Sequence, residues 1–238
     1  MEEIKGDDIQ DFLNSMPEDY SVIDSQISID TQMEYFELSQ SLKEKKQVDI
    51  DVEIDILNSE NSLIDDKKLA LIKLASVDDV DAFRAIEKQI ETSDINYKNW
   101  VLMAYQESRV LLENTLLDQQ KVIISTGLGG KNHKLRYFVV FYRENDEIFE
   151  LHQQKIIHNE LIYSLEKDNA ELENVSFDEN FCKMVVLLPL KFQLKDFFKQ
   201  VIADCNEFGN FLKPYFILTN VKIMDNVEIN EALEKGKE

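Results

Sequence analysis

Residues 121–143 read KVIISTGLGGKNHKLRYFVVFYR, and this stretch decides how the chain is divided. Two apolar runs, residues 122–125 and 135–142, flank a loop that holds three of the six glycines of the protein. Before the stretch, apolar residues recur at the 3- and 4-residue spacing of helices; after it, they follow strand-like patterns. The stretch contains five basic residues and no acidic one, a formal charge of +5 in a chain of −21. It is therefore both a structural boundary and the best candidate for a functional site.

The composition is that of a globular protein with a core of its own. Hydrophobic residues make up 44% of the 238 positions, which excludes an intrinsically disordered chain. The longest apolar runs, residues 137–142 and 184–190, fall far short of the roughly 20 residues that a membrane helix needs. The first residues, MEEIKGDDIQ, lack the basic-then-apolar order of a signal peptide. Together with two cysteines that form no CxxC pair, these features predict a cytoplasmic protein with reduced thiols.

The negative charge is concentrated at the N-terminal end. Residues 1–66 contain 19 acidic residues against 4 lysines, a net charge of −15, whereas residues 67–118 carry −2 and residues 119–238 carry −4. A duplex-DNA-binding surface needs a basic footprint, so the charge argues against that partner. The N-terminal third suits a basic protein partner, such as a ribosomal or other cationic protein. The simpler alternative is that the acidic residues only keep the protein soluble.

Residues 1–66 form an acidic and loosely organised region in this interpretation. One helix is expected over residues 30–46. Residues 48–56, VDIDVEIDI, alternate strictly between β-branched and acidic residues, which predicts a half-buried strand. The alternate carboxylates do not fit the glycine and glutamate positions of an EF-hand loop, so we predict a solvated strand face rather than a calcium site.

Residues 67–118 show strong helical periodicity and predict three short-linked helices. The run at residues 68–108, KLALIKLASVDDVDAFRAIEKQIETSDINYKNWVLMAYQES, resembles a HEAT-like repeat, in which helices pack antiparallel across turns that contain aspartate. The resemblance covers about one and a half repeats and implies a protein-binding helical surface. The residues that carry it are Leu74, Ala75, Asp78, Asp79 and Asp94.

After the glycine loop the predicted order of elements is β-α-β-β-α-β, which resembles the ferredoxin-like plan. Residues 135–142 are apolar on both faces, so they predict a central, covered strand. Residues 122–125 are expected to add an N-terminal hairpin strand to it. The predicted class is thus α+β: a HEAT-like helical part followed by a ferredoxin-like domain over residues 119–226, with a tail over residues 227–238.

The glycine loop is the predicted partner- or anion-binding site. Exposed backbone N–H groups beside lysines suit a phosphate or another anion. A P-loop would need glycine where Ser125 stands and serine or threonine where Asn132 stands, so that motif is excluded. The alternative is an ordinary β-hairpin tip, whose glycines supply positive φ angles. The candidate residues are Gly127, Gly129, Gly130, Lys131, His133, Lys134 and Arg136.

The sequence contains no recognisable catalytic constellation. His152 and His158 are six residues apart on a predicted helix, which is not the i, i+4 spacing of a metal-binding pair. We therefore predict a protein that is not an enzyme, has no cofactor or metal, and has neither membrane nor duplex DNA as a partner. The leading hypothesis is an adaptor that binds proteins through its acidic helices and basic hairpin.

Two alternatives remain open at this point. One is an RNA- or ribosome-associated factor that uses the basic hairpin at residues 127–136. Its strand RYFVVF partly resembles the aromatic RNA-binding strand of an RRM domain, although the characteristic glycine is missing and the strand is the first rather than the third. The other alternative is an enzyme or ligand-sensing domain with a small-molecule pocket near residues 127–131.

Overall fold

The structure, a computed structural model, describes residues 20–43, 48–91, 94–118, 120–145 and 147–235. It contains both helices and β-sheets, which confirms the predicted α+β class. Its contacts divide the chain into two compact units that meet in sequence at Ser125 and Thr126. The described residues on either side of position 66, which the sequence analysis assigned to separate regions, belong to the same first unit.

The first unit is mainly helical. In its described part, two short strands frame five α-helices and one 3-10 turn. The elements are β1 (Tyr20–Val22), α1 (Ile29–Lys43), α2 (Ile50–Asn58), α3 (Ile64–Ala75), α4 (Val80–Lys88), the 3-10 turn Gln89–Glu91, α5 (Ile95–Leu117) and β2 (Val122–Ile124).

Helix α3 lies at the centre of this unit. Its residues Leu71 and Leu74 are fully buried, in one cluster with residues of α1, α2, α4 and α5. The ring of Trp100 on α5 lies 5.4 Å from that of Tyr35 on α1, and both side chains are almost fully buried. The Tyr35 hydroxyl also donates a 2.7 Å hydrogen bond to Glu107, which satisfies its polar end inside the core. Aromatic packing thus joins the first and last helices of the unit.

The strand predicted over residues 48–56 is wrong, because this segment forms helix α2. Asp49 is its N-cap, and the carboxylate accepts a 3.4 Å hydrogen bond from the Val52 N–H group. Ile50, Ile54 and Leu57 lie at helical spacing and contribute to the core of the unit. The alternation itself is not kept on the helix, because Val52 is 50% exposed while Glu53 is buried; the cap and the core decide for the helix.

The predicted hairpin role of residues 122–125 is also wrong. Strand β2 pairs in parallel with β1, with Tyr20 opposite Val122 and Val22 opposite Ile124. This pairing joins segments about one hundred positions apart, so no local pattern announces it. It places β2 in the helical unit rather than in the unit that follows.

The second unit is built on an antiparallel sheet. From β4 onward its elements follow the order strand, helix, strand, strand, helix, strand, and one further helix ends the described chain. They are β3 (Gly130–Lys131), β4 (Lys134–Arg143), α6 (Leu151–Lys167), β5 (Glu171–Asp178), β6 (Phe181–Pro189), α7 (Leu194–Asn206), β7 (Leu212–Thr219) and α8 (Asn226–Lys235).

Strand β4 is central, as predicted. It pairs with β6 on one side and with β3 and β7 on the other, and β5 continues the sheet beyond β6. On one face, Phe141 packs against Phe198 of α7 at a ring distance of 6.1 Å. On the other face, Phe138 and Tyr142 lie in a buried cluster with Ile229 of α8. Both faces of β4 are therefore covered.

The tail predicted over residues 227–238 is, through residue 235, helix α8. Asp225 and Glu228 form a capping box, in which each side chain accepts a hydrogen bond from the backbone N–H group of the other residue. Ile229 is 0% exposed. The side chain of Asn226 contacts both Asp178 and Lys183 of the sheet. The segment is a packed part of the fold.

Candidate functional site

The glycine loop is buried, contrary to the expectation of an exposed tip. A Cβ atom placed on Gly127 would lie 1.9 Å from the carbonyl oxygen of Val221, so only glycine fits there. Leu128 is 1% exposed and its N–H group donates a 3.0 Å hydrogen bond to the carbonyl of Asn220. The loop is therefore a packing element that holds the chain beyond β7 against the sheet.

The exposed tip of the hairpin lies beyond the glycines. Strands β3 and β4 are joined by Asn132 and His133, whose φ angles are 51° and 62°. Two successive residues with positive φ are the signature of a two-residue type I′ hairpin turn. Lys131, Asn132 and His133 are exposed, and none of them is glycine. The sequence thus indicated a hairpin correctly but assigned the turn to the wrong residues.

Two backbone N–H groups of the glycine loop have partners within the fold. The Gly129 N–H group donates to the carbonyl of Thr126 at 3.1 Å, and the Leu128 N–H group is already engaged with Asn220. The Gly129 carbonyl accepts a 3.0 Å hydrogen bond from the N–H group of Arg136. A phosphate site needs several N–H groups directed at the ligand. Here two of them donate to backbone carbonyls of the protein itself.

Two of the three lysine and arginine side chains of the predicted site, those of Lys134 and Arg136, have acidic partners within the fold. Lys134 is only 8% exposed, and its ammonium group lies 2.6 Å from Glu171 of β5. Arg136 forms a two-pronged ion pair with Glu173 and also donates to the carbonyl of Leu128 at 2.8 Å. The hydrogen bond from Lys134 lowers the pKa of the Glu171 carboxyl. The positive field that the sequence shows is therefore largely cancelled.

Lys121 and Arg143, the basic residues at the two ends of the stretch, also have acidic partners. Lys121 pairs with Glu113 at 3.1 Å, and Arg143 pairs with Glu147 at 3.3 Å. Of the five basic residues, only Lys131 has no ion-pair partner in the part of the chain that the structure describes. Of the seven predicted site residues, the structure leaves Lys131 and His133 exposed at the hairpin tip and builds the other five into the loop and the sheet.

Where the pKa of a titratable group is shifted in this structure, it is shifted away from neutral pH. Burial raises the pKa of the Cys205 thiol to about 12, and burial raises the pKa of Cys182 as well. The pKa values of the carboxyls of Glu113 and Glu171 are lowered, first of all by hydrogen bonds from Arg109 and Lys134. A general acid or base works best with a pKa near the working pH, so these groups are poorly suited to that role. Within the described ranges, no group of three or more metal-ligating side chains occurs.

An acidic cleft that the sequence analysis missed lies between the N-termini of α2 and α4. Each helix has an aspartate as its N-cap. The Asp49 carboxylate caps α2, and the Asp79 carboxylate accepts hydrogen bonds of 2.8 and 3.0 Å from the N–H groups of Asp81 and Ala82 in α4. The cleft has a volume of about 540 Å³. It is lined by Val48, Asp49, Ile50, Asp51, Asp79 and Asp81.

The lining of the cleft combines acidic and aliphatic side chains. Four aspartates stand beside the aliphatic side chains of Val48 and Ile50, which are partly exposed. Lysine and arginine combine an aliphatic stem with a cationic head and match such a surface. The cleft escaped prediction because residues 48–56 were assigned to a strand. The signal that could have found it is an aspartate before each of two amphipathic helices.

Two further findings concern membrane helices and similarity to known proteins. In the part of the chain that the structure describes, no helix is long and apolar enough to cross a membrane. No protein-family profile matches the sequence, and no curated protein is significantly similar to it. The geometry of the hairpin and of the cleft is therefore the basis for a functional proposal.

Proposed function

We propose that the protein is a non-enzymatic cytoplasmic adaptor that binds a basic segment of a partner protein in the cleft between α2 and α4. The observation that carries this proposal is the juxtaposition of four aspartates with Val48 and Ile50. A lysine or arginine of the partner would lay its stem on the aliphatic side chains and direct its charge to the carboxylates.

The surroundings of the cleft support a basic protein partner. Residues 48–94 contain 13 acidic and 5 basic residues, a net charge of −8. Such a field speeds the encounter with a cationic partner and selects against anionic ones. On the same two helices, Val52 is 50% exposed and Val80 is 56% exposed, so apolar contact area is available as well. A partner that covers these two side chains would remove apolar surface from water in addition to pairing its charges.

The proposal includes the two fold assignments made from the sequence. For the second unit, a ferredoxin-like plan is supported by the element order from β4 to β7 and by the strand order β7-β4-β6-β5. For the first unit, a HEAT-like arrangement is supported by the contacts that α3 makes with both α4 and α5. HEAT-like helices commonly form protein-binding surfaces, in line with the proposed role.

The alternatives have less support from the geometry. An RNA- or ribosome-associated factor would need the cations at residues 127–136, and Lys134 and Arg136 have acidic partners inside the fold. The aromatic face of β4 that could stack on bases is buried beneath α8. A ligand pocket near residues 127–131 would need open space where Gly127 contacts Val221.

A pair of matched variants tests the adaptor function. Asp51→Asn with Asp81→Asn removes two charges from the cleft without touching either N-cap residue. Asp55→Asn with Glu87→Gln removes two charges from the same helices outside the cleft and serves as the control. Tagged wild-type protein and both variants are used to recover partners from a native lysate, with and without nuclease.

We expect nuclease-resistant proteins of basic composition that the cleft variant recovers at least tenfold less than the control variant does. Equal recovery by the two variants would contradict the cleft as the binding surface. Recovery that disappears with nuclease in all three proteins would instead support the RNA-associated alternative.

A further inference from the structure

A second cavity lies in the first unit, between α2 and α3. It has a volume of about 130 Å³ and shares no lining residue with the acidic cleft between α2 and α4. Its lining combines two carboxylates, an ammonium group, a hydroxyl and two aliphatic side chains. The lining residues are Glu53, Ile56, Ser62, Asp66, Leu69 and Lys73.

Glu53 is the unusual member of this set. The residue is 6% exposed, and its carboxylate pairs through Oε1 with the ammonium group of Lys73 at 2.6 Å. The other oxygen, Oε2, is buried and has no hydrogen-bond partner in the described part of the chain. Removing a carboxylate oxygen from water is costly unless a donor compensates for it. Glu53 Oε2 is therefore a buried hydrogen-bond acceptor without a donor among the described residues.

The rest of the lining indicates which donor fits. Asp66 is exposed and supplies a second carboxylate, while Ile56 and Leu69 supply aliphatic walls. With one ammonium group against two carboxylates, the lining has a formal charge of −1, which favours a monovalent cation. The volume corresponds to about four water molecules at roughly 30 Å³ each, enough for a short alkyl chain with a polar head.

A metal ion fits this lining poorly. Calcium takes about six to eight oxygen ligands, and magnesium needs a nearly octahedral set of oxygens. Only two carboxylates and one hydroxyl among the lining side chains are oxygen ligands that a metal ion could use. The aliphatic walls offer nothing to a bare ion. An organic cation uses both the carboxylates and the walls.

We propose that this cavity binds an alkylammonium group, which donates hydrogen bonds to Asp66 and, once the Glu53 carboxylate turns Oε2 toward the cavity, to that oxygen, while its alkyl stem packs on Ile56 and Leu69. The proposal goes beyond the adaptor function and does not depend on the acidic cleft. Two sources share this chemistry: a free small amine, and a lysine side chain of another protein.

The probes are n-butylammonium chloride, n-butanol and a lysine blocked at both its amino and carboxyl ends. Binding to the full chain is followed by ¹⁵N–¹H NMR at constant ionic strength. We expect saturable shifts at millimolar n-butylammonium in the amides of α2 and α3, and at least tenfold weaker binding of n-butanol. If the blocked lysine binds as tightly as n-butylammonium, the source is a protein side chain; if only n-butylammonium binds, it is a free amine.

Three variants localise the effect. Glu53→Gln keeps the size of the side chain but can present an amide donor in place of the acceptor, so we expect at least a tenfold loss of affinity. Asp66→Asn changes an exposed residue without risk to the core and should weaken binding about threefold. Asp65→Asn removes a neighbouring charge outside the lining and should leave the affinity unchanged.

The proposal is overturned if no saturable shift appears at n-butylammonium concentrations up to about 50 mM. It is equally overturned if Asp65→Asn and Asp66→Asn bind alike, because the shifts would then report general attraction to an acidic surface. If Glu53→Gln unfolds, the comparison between Asp65→Asn and Asp66→Asn decides.

Discussion

Gly127 shows how a single residue determines the local structure of the predicted site. Its Cα lies so close to the backbone of Val221 that the carbonyl oxygen, the carbonyl carbon and the Cα atom of that residue would all fall within 3.0 Å of an added methyl group. Backbone atoms cannot rotate away as a flexible side chain can, so the loop or its neighbour has to move. This close packing is by itself enough to require glycine at position 127.

We therefore predict that Gly127→Ala destabilises the protein by about 2–3 kcal/mol, the upper part of the range for overpacking in a well-packed interior. Urea-induced unfolding followed by circular dichroism measures this change. Gly209→Ala is the comparison, because an added methyl group there has no atom within 4 Å and meets only the cost of a φ angle of 126°. That cost is about 1 kcal/mol or slightly more. A Gly127→Ala variant as stable as Gly209→Ala would show that the close approach to Val221 is not present.

Helix α8 determines whether the aromatic face of β4 is a binding surface or part of the core. It covers the face of β4 that carries Phe138 and Tyr142, and its buried anchor is Ile229. Leu233, one turn further along the helix, packs against the same cluster. Without α8, this face would be an exposed aromatic surface of the kind that binds single-stranded RNA. With it, the face is part of the core.

The prediction for this element compares two positions on the same helix. Ile229→Ala should destabilise the protein by about 2–5 kcal/mol, because it leaves a cavity in a buried cluster. Val227→Ala should change the stability by less than about 0.5 kcal/mol, since Val227 is 66% exposed. Chemical denaturation of both variants gives the two values. Similar values for both would mean that α8 does not pack on the sheet.

At the scale of the whole molecule, the net charge of −21 coexists with carboxylates that are held by basic partners in both units. Glu113 in the first unit lies 2.8 Å from Arg109, and Glu171 in the second lies 2.6 Å from Lys134. Hydrogen bonds from these partners lower the pKa of both carboxyls. A group whose pKa is lower in the folded state than in the unfolded state stabilises the fold above its unfolded pKa.

The sign of the pH dependence follows from these shifts. The unfolded pKa of a glutamate is about 4.3, so the contribution of both pairs is complete at neutral pH. This stabilisation is lost as the pH falls below the unfolded pKa and through the lower pKa values of the two carboxyls in the folded protein. We predict that the free energy of unfolding decreases between pH 5 and pH 2.5, and that it decreases less in a Glu113→Gln, Glu171→Gln variant. Urea titrations at a series of pH values measure both slopes, and parallel slopes would rule out the two ion pairs as contributors.

Local patterns in the sequence determined most of the elements. Apolar residues at 3- and 4-residue spacing identified α3, α4, α5 and α7, and two-sided hydrophobicity identified β4 as a central strand. These features depend on residues within one or two turns of each other, so one sequence contains the information. The hairpin at residues 131–134 was also indicated, although the glycines suggested the wrong turn residues.

Tertiary structure decided the rest, including the character of the candidate site. Lys134 and Arg136 look like a basic surface until β5 brings Glu171 and Glu173, each 37 positions away in sequence, into contact with them. In the same way, the N-cap aspartates of α2 and α4 form a cleft only because the two helices pack with their N-termini together. The alternation in residues 48–56 is typical of a strand, but Ile50, Ile54 and Leu57 also have helical spacing, and burial of Leu57 in the core of the first unit selects the helix. Ion pairs and burial between distant segments depend on which surfaces pack together. The free energy of that packing is not encoded in any local sequence pattern.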